Sequence, residues 1–271
     1  MVEQVVEQVV EQVVELVVVG GGKMGEALVG GLLASGRAVD TMAVVEPDPD
    51  RRNHLAAHFG GLVVVPEPVA AAGAVVAVKP QQVAEVCRGL GAIGVARILS
   101  IAAGVRLATM EDEVPGTVAV IRAMPNTPAL VGLGAAAIAG GSAAAEDDLA
   151  WAEGILAAVG TVARVSEEQL DAVTGLSGSG PAYVFLVAEA LVDAGVLVGL
   201  PRDVATELTV QTLRGAAGLL ATGEAPAALR ASVTSPGGTT AAGLRALESA
   251  AVRAAFADAV VAATDRSRQL G

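Results

Sequence analysis

The sequence predicts an α/β protein in which an N-terminal doubly wound sheet (residues 16–165) is followed by an all-α domain (166–271), with a low-complexity extension (1–15) ahead of both. Three observations predict it. Short apolar runs recur through the first domain and are continuous rather than alternating, as strands are when helices cover both faces of a parallel sheet. Helix-spaced segments separate them. After about Ser166 the strand signals stop, and long Ala/Leu/Val segments punctuated by Gly and Pro run to the C-terminus.

Taken in order, the extension MVEQVVEQVVEQVVE repeats a four-residue unit with Glu at 3, 7, 11 and 15. Its period is nearer a helix than a strand; it reads as a compositional tract without chemistry, with a short partner-packing helix as the alternative. From Leu16 the chain reads LVVVGGGKMGEALVGGLLASG, which is a strand over 16–19, a tight turn and a helix stopping at Gly36. A second strand over 41–45 ends at Glu46, and PDPDRRNHLAAHFG supplies a turn and a second helix. Further strands are expected at 62–65, 74–78 and 97–101, with 118–122 and 134–139 extending the sheet. Helices are expected over 167–175, 180–199, 201–222, 226–233 and 239–270, several with Pro in the first turn, where its missing N–H costs nothing.

Composition narrows the function. The 271 residues suffice for a real core, and 17 Lys+Arg against 29 Asp+Glu give a net charge of −12. With Phe 3, Tyr 1 and Trp 1 as the whole aromatic content, neither a cationic surface nor a stacking platform is present, so nucleic acid is not an expected partner. The 53% hydrophobic content is Ala, Val and Gly spread along the chain. Its longest uncharged stretch, 123–145, has the length of a membrane span but is broken by Pro125, Asn126, Thr127, Pro128 and repeated Gly. It reads as buried soluble structure, with no membrane partner. The single Cys87 makes no internal disulfide and no basic leader with a cleavage site opens the chain, so the expected compartment is the cytoplasm.

Gly20, Gly22 and Gly25 fit G-x-G-x-x-G between a strand and a helix, enclosing Lys23 and Met24. In that pattern the first glycine makes the tight turn, the second lets a pyrophosphate approach the backbone, and the third lets helix and strand pack closely; the fold is then Rossmann-like. Free N–H groups at the helix start favour the phosphates. Glu46 ends the second strand 21 residues beyond Gly25, placed to accept ribose hydroxyls. It argues for NADH, whereas Arg51 and Arg52 argue for NADPH, and the choice stays open.

Scarce residues carry further information. The two lysines, Lys23 and Lys79, each follow an expected strand, Lys79 opening KPQQV at the edge where α/β sheets bind ligands. His54 and His58 lie one helical turn apart without a His-Glu-x-x-His pattern or a nearby Cys to complete a metal site, so they read as surface residues and no metal is expected. Beyond residue 165 there is no His, Cys or Lys, which argues against a His-assisted nucleophile and against a lysine acid in the helical domain. Hydride addition to a carbonyl makes an alkoxide that needs an acid, while addition to a protonated imine needs none. The composition therefore favours a C=N substrate, with the Tyr183 phenol or a water the remaining acid for a C=O one.

Two segments stand out in the helical part, GLSGSGPAYVF (175–185) and TSPGGTTAAGL (234–244), each placing small and hydroxyl residues just before a helix. Such a turn can hold a carboxylate without Arg, and otherwise serves as a cap. AMPNTPALVG (123–132) sets Asn126 between two prolines at a sheet edge. Together with GGGKMGEAL and AVKPQQV, in this order and spacing, these motifs resemble those of pyrroline-5-carboxylate reductase from Leu16 to the end of the chain. The resemblance implies a helical domain that dimerises, often five dimers to a decamer, and NAD(P)H reduction of 1-pyrroline-5-carboxylate to L-proline. By position it implies that the glycine turn holds the pyrophosphate. It implies likewise that Lys79 and Pro80 border the nicotinamide end, with Ala102, Ala103, Gly104 and Asn126 near it. It further implies that Ser235, Gly237, Gly238 and Thr239 grip the substrate carboxylate. The resemblance also implies that Thr240 lies close to the ring nitrogen, that Thr240 and Ser235 are the candidate catalytic hydroxyls, and that Thr174 comes from the partner subunit. The N-terminal tract departs from the family's usual start. Competing readings are a β-hydroxyacid dehydrogenase, which relies on a lysine this helical part lacks, an imine reductase for uncharged rings, and a dinucleotide sensor without turnover.

Overall fold

A computed structural model describes residues 14–270; the repeat's first thirteen residues, and the expectation of a short helix there, lie outside them. Residues 14–178, together with 263–270, form one compact unit, and Ser179–Ala262 forms another. The sheet itself ends at Arg164.

In the first unit eight strands are ordered β3-β2-β1-β4-β5-β6-β7-β8. They are β1 (Val14–Val19), β2 (Met42–Val45), β3 (Val63–Val65), β4 (Ala71–Val76), β5 (Arg97–Ser100), β6 (Ala119–Met124), β7 (Gly134–Gly140) and β8 (Gly160–Arg164). Helices α1 (Lys23–Ala34), α2 (Pro49–His58), α3 (Val83–Ala92), α4 (Leu107–Glu111), α5 (Glu146–Ala157) and α6 (Leu170–Val173) accompany it. Alternate residues of β1 feed two cores. Leu16 and Val18 pack with Leu28 and Leu32 of α1, Leu55 of α2 and Ile155 of α5. Val17 and Val19 pack with Val83, Cys87 and Leu90 of α3 and Met110 of α4. Both faces of each central strand are therefore covered, which is why the strand sequences are apolar throughout.

The expectation of a parallel sheet needs one correction, because β7 runs antiparallel to β6. Only residues 125–133 connect them, with a tight 3-10 turn over Thr127–Val131, too short for the dozen-residue crossover a parallel pair requires. The uncharged stretch 123–145 is this connection and β7. Strand β8, unread in the sequence, is an exposed edge strand whose Arg164 pairs with Glu146 and Glu153 of α5. At the N-terminus Val14 and Glu15 belong to β1 rather than to a separate tract. Val14 is buried, and Glu15 faces out to Arg37 at 3.2 Å.

The expected helix over 167–175 is instead a 3-10 turn at Glu167–Gln169, then α6, then a π-turn at Thr174–Gly178. Beyond it lie α7 (Gly180–Leu197), α8 (Arg202–Leu220), α9 (Pro226–Ser232), α10 (Thr239–Ser249) and α11 (Val252–Leu270). The single helix expected over 239–270 is thus two, broken where Ala251 takes a left-handed φ of 55°. In the second unit, Val192 is the buried residue of α7 and Ala205 that of α8, while Val184, Phe185, Leu186, Leu191 and Leu197 are exposed. Residues 167–197 are the one segment among the described residues long and apolar enough to cross a membrane.

Candidate active site

The carboxyl ends of the strands form one edge, ordered by backbone bonds that continue past the sheet. Gly20 N–H donates to Val45 O, Glu46 N–H to Val65 O, Ala77 N–H to Val19 O and Ile101 N–H to Val76 O. Glu46, the glycine turn, Lys79, the 102–104 loop and Asn126 therefore follow β2, β1, β4, β5 and β6 along a single edge. The strand order reverses between β1 and β4, the place where open α/β sheets bind ligands.

Each glycine of the turn is needed for a different reason. Gly20 has φ 108° and its missing Cβ would stand 2.5 Å from Ala77 O; a Cβ on Gly25 would stand 2.0 Å from Gly20 O. These two let turn, strand and α1 close on one another. At Gly22 a Cβ would meet nothing within 4 Å; this residue lines an open cavity of about 800 Å³ together with Gly20, Glu46, Lys79, Gln82 and Glu85. Gly22 also begins α1 without a side-chain cap, so the helix's first N–H groups remain available to an anion. A bare-backbone cradle beside a carboxylate at the end of β2 fits a dinucleotide's pyrophosphate and ribose.

Glu46 is held in place. Its Oε2 accepts from Gly21 N–H at 3.0 Å and its Oε1 from Asp48 N–H at 3.0 Å. The two arginines are spoken for: Arg51 Nε donates to Gly21 O at 2.6 Å and its NH2 pairs with Glu26, while Arg52 NH1 donates to the Glu46 and Pro47 carbonyls. Hydrogen bonding from Arg51 holds the Glu26 carboxyl below the usual carboxylate range. Arg51, expected on the cofactor, is here bonded to the backbone of the glycine turn. Lys23 lines a separate cavity of about 460 Å³ with Glu26, His58 and Phe59. The imidazoles of His54 and His58 stack at 6.0 Å, and His54 Nε2 lies 3.5 Å from Glu26.

Farther along the edge, Lys79 and Pro80 start a 3-10 turn that leads into α3. Ala102 is buried, Ala103 is exposed, and Gly104 takes a φ of 76°. Asn126 has a task the sequence did not signal: its Oδ1 accepts from Ala135 N–H at 2.8 Å and its Nδ2 donates to Ser177 O at 3.0 Å. It ties the start of β7 to the π-turn that carries Thr174, whose hydroxyl donates to Leu170 O at 2.9 Å. Buried Arg122 donates to Glu167, which also accepts from Leu107 N–H. Burial pushes the Cys87 thiol up to about 11, so it stays protonated at neutral pH and is no nucleophile.

In the helical unit, Ser235 O accepts from Gly238 N–H at 3.0 Å, and Gly237 takes a φ of 68° to close that turn. A Cβ on Gly238 would stand 2.3 Å from Ser235 Oγ. Gly238 starts α10 without a side-chain cap, and Ser235, Thr239 and Thr240 are exposed around it. Hydroxyls and uncapped N–H groups therefore gather at a positive helix end, with no basic side chain between Ser232 and Ala242.

Comparison with known proteins adds the following. Residues 167–270 match the family model for pyrroline-5-carboxylate reductase dimerisation, and residues 15–104 match that for NADP oxidoreductase, coenzyme F420-dependent. The chain is 45% identical over 281 residues to pyrroline-5-carboxylate reductase of Mycobacterium tuberculosis (strain ATCC 25618 / H37Rv), covering 93% of this chain and 95% of that one. It is 42% identical over 259 residues to that of Arabidopsis thaliana, covering 93% and 94%. Among solved structures it resembles a pyrroline-5-carboxylate reductase from Coxiella burnetii with a TM-score of 0.91 at 36% identity, covering 96% and 99%. It also resembles pyrroline carboxylate reductase of Plasmodium falciparum with NADP bound, with a TM-score of 0.80 at 28% identity, covering 95% and 98%.

Proposed function

The chain belongs to the pyrroline-5-carboxylate reductase family, and from that membership we propose how its residues divide the work. The enzyme reduces the C=N bond of 1-pyrroline-5-carboxylate to L-proline with NAD(P)H, the last step of proline biosynthesis. Bound NAD(P)H supplies the hydride. Gly20, Gly22, Lys23, Met24 and Gly25 form the turn around the pyrophosphate; Glu46 takes the adenosine ribose. Lys79, Pro80, Ala102, Ala103, Gly104 and Asn126 border the nicotinamide end.

The observation that carries the substrate assignment is the start of α10. A carboxylate placed there meets the partial positive charge of uncapped N–H groups and the hydroxyls of Ser235, Thr239 and Thr240, with Gly237 and Gly238 letting it reach the backbone. That grip fixes the ring by its acid group and leaves the imine to the Thr240 hydroxyl, which orients the ring nitrogen. Because the protonated imine is neutralised by hydride addition, the amine forms without an alkoxide and no strong acid is required. A β-hydroxyacid dehydrogenase would need one, and the helical part has no lysine to supply it.

The self-association that the dimerisation family carries agrees with the apolar exposed face of α7. We extend this to a homodimer in which Thr174 completes the partner's site, five such dimers making a decamer, and to action in the cytoplasm without nucleic-acid or membrane partners. The test of the site is Thr240→Ala. It lowers kcat at least tenfold, about 1.4 kcal/mol in the transition state, while the NAD(P)H dissociation constant stays within twofold. Equal losses in both would place Thr240 elsewhere than at the imine.

A further inference from the structure

We propose that NADH rather than NADPH is the preferred coenzyme, and that the Glu46 carboxylate makes the choice. The inference rests on the dinucleotide reading of the glycine turn. The two coenzymes differ in a phosphate monoester on the adenosine 2′-hydroxyl, which adds roughly two negative charges at neutral pH. An enzyme that prefers the phosphorylated form needs a cation or a cluster of donors at that hydroxyl.

This chain offers the reverse. The carboxylate at the end of β2 is fixed by the Gly21 and Asp48 N–H groups at 3.0 Å each, which hold it at the rim of the cavity. Each of its oxygens keeps a lone pair for a ribose hydroxyl, so the unphosphorylated sugar is served. The neighbouring guanidiniums belong to other tasks. Arg51 is bound to Gly21 O and paired with Glu26, and Arg52 is bound to the Glu46 and Pro47 carbonyls. Freeing either one would cost the hydrogen bonds that shape the turn. Lys23 lines the other cavity. Among the residues lining the 800 Å³ cavity, Lys79 is the cation, and Glu46 and Glu85 are the anions; Arg52 keeps its charge beside the Glu46 backbone but does not line the cavity, so a 2′-phosphate at the ribose would stand against the Glu46 carboxylate itself, where unscreened repulsion is strong.

The experiment measures dissociation constants of NADH and NADPH by nicotinamide fluorescence on the full-length protein at fixed ionic strength, with kcat/KM for each in parallel. The wild type binds NADH at least about tenfold more tightly, since even a partly screened charge pair is worth that factor. In Glu46→Gln, which keeps the side chain's size and removes its charge, the ratio moves about tenfold toward NADPH. Arg51→Ala weakens both coenzymes equally, because Arg51 braces the turn. NADPH binding as tightly as NADH in the wild type overturns the inference, and so does an Arg51→Ala variant that loses NADPH alone. Should Glu46→Gln fail to fold, the wild-type ratio and Arg51→Ala still decide. A protein that binds NADH selectively yet never oxidises it with the imino acid supports this inference and contradicts the reductase reading, which separates the two.

Discussion

At the scale of single residues, the site depends on side chains whose partners are distant in sequence. Asn126 spends both ends of its amide on backbone, at Ala135 and Ser177, nine and 51 residues away. Asn126→Ala removes an acceptor and a donor from a half-buried position, and each orphaned backbone group costs about 1–3 kcal/mol. The expected result is a loss of about 2 kcal/mol in the urea unfolding free energy, with a larger fall in kcat than in coenzyme affinity as the π-turn loosens. Unchanged stability would mean that neither bond contributes. Sequence reasoning placed Asn126 at the correct sheet edge, because a Pro-flanked Asn after a strand is a local signal. Its bridging task was invisible because Ser177 reaches it only through the fold. The same holds for Arg51, which read as a cofactor ligand five residues beyond Glu46 but is claimed by Glu26 on another helix.

At the scale of elements, the glycine turn was legible because its requirements are steric and local: a left-handed φ at Gly20 and a close approach at Gly25 leave no choice of residue. The break between α10 and α11 was not legible. Composition over 239–270 is uniformly helix-forming, with no Gly or Pro at residue 251 to mark a stop. The chain nevertheless ends α10 there with Ala251 left-handed at φ 55°, its N–H donating to Glu248 O, a position where helices ordinarily place glycine. Ala251→Gly relieves that strain and is expected to stabilise the protein by about 1 kcal/mol, read as a rise in denaturant midpoint without change in slope. A fall would show that the backbone at 251 is relaxed. Strand β8 escaped notice for a related reason, since at the sheet edge its inward face is only half-buried, with Val162 its one apolar residue packed on the core, too little to impose a pattern.

At the scale of the whole molecule, two kinds of surface account for the composition. The doubly wound unit buries its apolar residues against helices on both faces, so its Val and Ala content is core. The helical unit leaves Val184, Phe185, Leu186, Leu208, Val210, Leu219 and Phe256 exposed, more apolar surface than a monomer carries without a partner. Self-association, which the matched dimerisation model carries, is consistent with that surface. The lack of a lysine beyond residue 165, the uncapped, hydroxyl-rich start of α10 and the glycine cradle at the carboxyl edge all suit the proposed reaction, the reduction of a cyclic imine that carries a carboxylate. Absorbance at the nicotinamide band, followed on mixing purified protein with NADH and 1-pyrroline-5-carboxylate and in parallel with the uncharged 1-pyrroline, tests this directly. The account predicts rapid oxidation with stoichiometric L-proline for the imino acid and at least a hundredfold lower kcat/KM for the uncharged ring, about 2.7 kcal/mol of lost binding to the α10 turn. Equal rates on both rings, or coenzyme binding with no oxidation by either, would contradict it.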